Sequence, residues 1–301
     1  MTYSLTALWR EIRSFRPDVI HLEEEPWSVA ALELSLICRM LGIPLTVFTW
    51  ENTHRRLPLP FRLIRRWVLR RARAATAGNA EAKVLLVRQG FRNPVTVLPQ
   101  LGVDPLAFQQ AVRSGEPKRA VVGYVGRLVP QKGLLVLLEA VARLSSDVRL
   151  MVVGNGPLKH ELLEKARTLG VGGRLELHEG VAHHEVPRYL QQMSVLALPS
   201  LTTPIWKEQF GHVLIEAMAC GVPVIGSDSG AIPEVITDAG LVVPEGDVDA
   251  LADTIQRLIS APALRVDLAA RGRARVLAKY TNDSVARRLA AFCKGVIEKG
   301  H

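Results

Sequence analysis

A doubly wound α/β chain, built as two parallel-sheet domains in tandem, is what this sequence predicts. Three observations carry the prediction. Short apolar runs rich in Val and Leu alternate with helix-length patterns from end to end, the order expected of a parallel sheet with helices on its faces. The runs are continuously apolar, as in strands buried on both sides. A polar, aperiodic stretch, QQAVRSGEPKRA at 109–120, divides the series and reads as a linker.

In the first half the predicted strands are DVIHLE (18–23), LTVFTW (45–50), AATAG (74–78) and VTVLPQ (95–100). In the second half they are AVVGYVG (120–126), VRLMVVG (148–154), RLELHEG (174–180), VLALPS (195–200), PVIGSD (223–228) and AGLVVP (239–244). Helices fill the gaps, among them GLLVLLEAVARLS (133–145) and PLKHELLEKARTLG (157–170). The expected domains are 1–112, 113–280, and a C-terminal helix at 281–301 that packs back toward the first domain.

The 301 residues are ample for a buried core. The formal charge is +9 and the isoelectric point about 9.8. That excess points to an anionic partner: nucleic acid, a membrane surface or a phosphorylated small molecule. Nucleic acid is the weakest of the three, because aromatic residues make up only 5% of the chain and no recognised binding module appears. The three cysteines, Cys38, Cys220 and Cys293, are far apart in apolar surroundings, which argues for buried thiols in a reducing compartment. No run approaches the length of a membrane span. Arg10, Glu11 and Arg13 break any apolar signal-peptide core, so a cytoplasmic location is expected.

The stretch WKEQFGHVLIEAMACGVP (206–223) holds two carboxylates, Glu208 and Glu216, around Phe210-Gly211. Gly211 opens a predicted helix that ends near Ala219, before Gly221. The amides and positive dipole end of such a helix attract phosphate. Glu216 lies too far into the helix to cap it and suits ribose hydroxyls; Glu208, at the mouth, suits a sugar hydroxyl. The plain alternative is a first-turn charge and a solvated helix residue. A second turn, GYVGRLVPQKG (123–133), places Gly126, Arg127 and Lys132 between a strand and a helix, where doubly wound sheets bind ligands. A guanidinium and an ammonium there suit a diphosphate; otherwise they are two solvated cations. A third turn, VGNGP (153–157), places Gly154 and Gly156 after the next strand.

Together GRLVPQKG, VVGNGP, LPS, EQFGHVLIEAMACGVPVIGSDSGAIPEVI and GLVVPEGD resemble the family-4 retaining glycosyltransferases of the GT-B fold, over residues 119 to 260. RNPVTVLPQLGVDPLAF (92–108) resembles the same family's exit from its N-terminal domain. The resemblance implies that Arg127 and Lys132 hold the donor diphosphate and that Phe210 and Gly211 offer it backbone amides. It implies that Glu208 contacts the donor sugar and Glu216 the ribose. Gly126, Gly154, Gly156, Gln209 and Leu214 complete the implied donor set, with Val181 and Ala182 of the turn GVAHH (180–184) beside the base. It implies a nucleotide-sugar substrate, transfer with retention to a glycan or lipid-linked acceptor, and no cofactor or metal. His183-His184 is then a turn near the base rather than a metal pair.

Two departures from the family pattern stand out. Where many members carry a His-Asp pair after an N-domain strand, this chain reads FTWENTHRR, so Glu51, Asn52 and His54 are the acceptor-side candidates, with a capping turn as the alternative. The family's opening strand and Gly-rich loop do not precede Thr2, so an incomplete N-terminal domain is expected. WKEQFG and WEN are similar to a bacterial subgroup linked to surface-polysaccharide assembly. The alternatives are a non-catalytic nucleotide-sugar-binding fragment and a GT-B-fold nucleotide-sugar epimerase.

RRLPLPFRLIRRWVLRRAR (55–73) carries eight arginines and no acid. From Phe61 the spacing predicts an amphipathic helix with a basic rim. Such a helix packs its stripe on the sheet, binds an anionic membrane surface, or does both.

Overall fold

The computed structural model describes residues 5–110 and 119–298. Contacts divide the chain into two compact units, Met1–Leu101 with Val285–His301, and Gly102–Ser284. Most of the expected linker, residues 111–118, lies outside the described residues. The chain changes unit earlier than its composition suggests, because Gly102 and Val103 are tied down by backbone pairing. Val103 N donates to Tyr280 O (2.8 Å), and Asn282 N donates to Val103 O (3.1 Å).

The first unit holds a four-stranded parallel sheet in the order β1-β2-β3-β4: Ile20–Leu22, Leu45–Thr49, Ala72–Ala77 and Val95–Val97. Helices α1 (Leu5–Phe15), α2 (Val29–Leu41), α3 (Leu59–Arg71) and α4 (Ala80–Arg88) precede or connect the strands. Local chemistry sets the helix ends. Ser28 Oγ accepts from Ala31 N at the start of α2, and Asn79 Oδ1 accepts from Ala82 N at the start of α4, which satisfies amides that a helix leaves unpaired. Every residue of β2 is buried. Leu22, Val47, Val68, Leu69, Ala75 and Leu86 form the core. The stripe of α3 therefore packs inward through Val68 and Leu69, with Ile64 and Trp67 against them, while Leu59 and Leu63 stay outside at 64% and 57% exposure.

The second unit holds a six-stranded parallel sheet in the order β10-β9-β8-β5-β6-β7. The strands are β5 (Val121–Val125), β6 (Arg149–Val153), β7 (Leu175–His178), β8 (Val195–Leu198), β9 (Val224–Ser227) and β10 (Leu241–Val243). The helices are α5 (Leu134–Ala142), α6 (Lys159–Thr168), α7 (Val186–Leu190), α8 (His212–Ala219), α9 (Ile232–Ile236), α10 (Val248–Ser260) and α11 (Pro262–Lys279). Helix α12 (Asn282–Glu298) leads back to the first unit, where Phe292 meets the ring of His21 edge-on. The winding direction reverses at β5, which has β6 on one side and β8 on the other. Crevices at such switch points, at the carboxyl ends of the strands, are where open α/β sheets bind ligands. The loops after β5 and β8 carry Arg127, Lys132 and Glu208.

Candidate active site

The floor is made of backbone. After β5 the chain passes Gly126 and Arg127, and after β6 it passes Gly154 and Gly156. Gly126 N donates to Val153 O (3.0 Å), Leu128 N to Asn155 O (2.9 Å) and Leu158 N to Leu128 O (3.0 Å). Gly154 (φ +150°) lies so close to its neighbour that a Cβ there would be 1.9 Å from Gly126 O. The side chain of Arg127 is exposed, while its carbonyl accepts from the buried Tyr124 hydroxyl (2.7 Å). Burial, with the charge of Glu208 behind it, pushes the Tyr124 phenol well up, so it stays a donor.

Lys132 ends a short turn, Pro130–Lys132, just before α5. Its Nζ lies 2.6 Å from Glu208 Oε2, with side-chain exposures of 16% and 8%. Ser200 Oγ donates to the same carboxylate oxygen (2.7 Å), and the ammonium stands 5.1 Å from the Trp206 ring centroid, within cation–π range. The backbone of Glu208 is fixed as well, since its carbonyl accepts from Ala231 N (3.0 Å).

Gly211, with φ +78°, caps α8, and a Cβ there would press on Leu198 and Leu214. The first turn of α8 presents amides that have no acceptor within the helix. Phe210 is buried edge-on against Tyr280, with ring centroids 5.6 Å apart. Leu214 is fully buried and its amide donates to Gly211 O (2.8 Å), so it supports the turn from below and offers no free group. Glu216, 9% exposed, accepts from His183 Nε2 at 2.9 Å. Burial lowers the His212 pKa, against the charge of Glu216. It pushes the Cys220 thiol up to about 12, with Glu216 adding to the effect.

Both carboxylates are therefore buried and paired, and the plain reading of a first-turn charge and a solvated helix residue does not describe them. Sequence reasoning missed their partners. Ser200 ends the stretch read as a strand, a position that could have flagged it. His183 was read only as part of a turn near the base, without its link to Glu216, and nothing local tied Trp206 to Lys132. Val181 and Ala182 lie on the turn beside His183, and Ala182 N donates to Glu185 Oε2 (3.2 Å). Gln209 sits between Glu208 and Phe210.

Glu51, Asn52 and His54 belong to the other unit, after β2. Glu51 is buried and receives Gln89 Nε2 (3.1 Å), with Arg65 Nη1 at 3.9 Å. Asn52 donates to Glu81 Oε2 (3.3 Å). His54 is exposed.

Residues 108–275 match the family described as glycosyl transferases group 1, and residues 1–100 match the glycosyl transferase 4-like domain. The chain belongs to glycosyl transferases group 1. This group 1 chain is 35% identical over 202 residues to a GDP-mannose-dependent alpha-(1-6)-phosphatidylinositol monomannoside mannosyltransferase of Mycobacterium tuberculosis, covering 64% of this chain and 52% of the relative. It thus spans about half the length of the mycobacterial relatives it matches. It is 30% identical to the 2-deoxystreptamine N-acetyl-D-glucosaminyltransferase of Streptomyces fradiae over 96% of this chain and 73% of that one. The crystal structure of Anabaena HepE in complex with UDP superposes with a TM-score of 0.84 at 19% identity, over 97% of this chain and 82% of that one. The two parallel sheets of this group 1 chain are those of a GT-B fold.

The unequal settings of the two carboxylates give a test in this group 1 site. Glu216→Ala is expected to weaken nucleoside diphosphate binding about tenfold, the scale of one hydrogen bond to a charged group. Glu208→Ala is expected to bind the same nucleotide almost normally but to lose turnover. Calorimetry and rate measurements on both variants check this, and equal nucleotide affinities would refute the division of roles.

Proposed function

We propose that this chain transfers a sugar, with retention of anomeric configuration, from a nucleotide-sugar donor to the hydroxyl of a glycan or lipid-linked acceptor, in surface-polysaccharide or glycolipid synthesis. The observation that carries the reading is the Lys132–Glu208 pair, 2.6 Å apart, set with Arg127 at the switch point of the sheet.

In this reading Arg127, Lys132 and the first amides of α8 hold the diphosphate and stabilise the charge that grows as it leaves. Lys132 has three N–H donors, so it meets a phosphate oxygen while keeping Glu208. Held by Lys132 and Ser200, Glu208 faces the sugar as a fixed acceptor of its hydroxyl protons. Glu216, steadied by His183, takes the ribose. The bond from the anomeric carbon to the phosphate oxygen breaks, and the bond to the acceptor oxygen forms on the same face. The acceptor proton passes to the leaving phosphate. The cations do the work a metal does elsewhere, so no metal enters the scheme. The names of the relatives specify a GDP-mannose donor in one case and N-acetylglucosaminyl transfer in another, so the donor class is the open choice. A cytoplasmic location, peripheral at an anionic membrane surface, goes with this reading.

The test is thermal denaturation with UDP, GDP and ADP sugars. A ligand bound only by the native state raises stability by mass action, about 2.7 kcal/mol at a hundredfold excess over Kd. One nucleotide class is expected to raise the Tm clearly above the others, and the anomeric proton of the product then reports retention. No shift with any nucleotide sugar or diphosphate would overturn the reading.

A further inference from the structure

Between α3 and the turn after α4, residues 89–93, lies a cavity of about 780 Å³. Arg62, Arg65, Arg66, Arg70 and Arg92 line it, with Leu59 and Leu63 among them, and no carboxylate does. Arg65 leans toward the buried Glu51 at 3.9 Å, so one of the five cations is balanced from beneath. Among the described residues the other four have no acidic partner. Arg62, Arg66 and Arg70 follow one another at four-residue spacing and stack along one helix face. Like charges at that spacing disfavour a helix, and Arg62 adds a cation near its positive end. A merely solvated helix would relieve the row with an interspersed acid, and α3 has none. Leu59 and Leu63, also four apart, set an exposed apolar edge beside the basic row.

Guanidinium groups fork onto phosphate oxygens, and several converging on one cavity suit a doubly charged phosphate. We propose that this cavity on α3 is a discrete phosphate-binding site, and that the phosphate it takes is the headgroup of an anionic lipid. The apolar edge gives the first part of the acyl chain a surface to lie on. The site is separate from the donor crevice. It adds to the membrane reading above a saturable pocket of fixed stoichiometry in place of diffuse attraction.

Calorimetric titration with monomeric dihexanoyl phosphatidic acid, dihexanoyl phosphatidylcholine and inorganic phosphate tests it. Two variants of equal charge are compared: Arg62→Gln/Arg66→Gln/Arg70→Gln within the cavity, and Arg55→Gln/Arg56→Gln/Arg73→Gln outside it. Saturable one-to-one binding of the phosphatidic acid is expected, at least about tenfold weaker in the cavity variant and unchanged in the control. Phosphatidylcholine should bind far more weakly. Unchanged circular dichroism and an unchanged nucleotide-induced Tm shift show that the cavity variant is folded and keep this result independent of the donor site. Equal losses in the two variants would replace the site with diffuse attraction. Inorganic phosphate binding as tightly as the lipid would keep the site but overturn the lipid assignment. No binding in any arm would overturn both.

Discussion

Alanine at Lys132 is expected to weaken nucleoside diphosphate binding about tenfold or more and to destabilise the fold as well. The first effect is the loss of a hydrogen bond between charged groups, about 1.5–3 kcal/mol. The second follows from what stays behind. Glu208, with its side chain 8% exposed, would lose its countercharge while keeping the Ser200 hydroxyl. A buried charge stripped of its partner costs about 3 kcal/mol or more. Replacing both partners with uncharged groups, as Lys132→Met/Glu208→Gln, should return most of the stability while leaving nucleotide binding weak, because the desolvation penalty disappears with the charges. Arg127→Ala, at an exposed side chain, should show a similar loss of affinity at almost unchanged stability. Calorimetry and chemical denaturation on the three proteins separate these effects. Unchanged affinity in both single variants would remove the diphosphate from this site.

The Gly133→Ala substitution should cost more than about 3 kcal/mol, above the ordinary range of single substitutions, and should carry nucleotide affinity down with it. Gly133 sits at φ +68° between Lys132 and α5, and a Cβ there would be 1.8 Å from Pro199 O. The obstacle is backbone at the end of β8, so no side chain can swing away. Gly42→Ala is the control: φ is +71° and nothing lies within 4 Å of the new Cβ. Its cost should be that of the left-handed conformation alone, about 1 kcal/mol. Denaturant midpoints of the two variants decide the matter, and equal losses would mean that the contact with Pro199 is unimportant.

Nine of the ten stretches read as strands contain a strand among the described residues, Val121–Val125 and Val195–Leu198 included, and the tenth, AATAG at 74–78, begins two residues late on Ala72–Ala77. Parallel strands buried on both faces leave a continuous apolar run that local pattern reveals. The positions of Arg127, Lys132 and Glu208 were legible for a related reason, since each lies in a turn near a glycine, and Glu216 was legible from the helix that Gly211 opens. Their partners were not. Lys132 and Glu208 lie 76 residues apart, and His183 and Glu216 lie 33 apart. Nothing in a local period encodes which side chains a sheet brings together. Helix α3 was legible as basic and amphipathic, but its division was not. Val68 and Leu69 are buried in the core with Trp67 packed against it, whereas Leu59 and Leu63 stay exposed where the arginines gather.

The interlacing of the β5 and β6 loops through Gly126, Leu128, Gly154 and Leu158 has a consequence for how the proposed transferase would tell donors apart. Each loop supplies the acceptors for the other's amides, so neither opens alone and the pair behaves as a single stiff ledge. A nucleotide sugar that touches one of them gains nothing from folding the other around itself. On the proposed function, discrimination between donors would be left to the side chains standing on the ledge, and the choice of sugar could change without disturbing the masonry beneath.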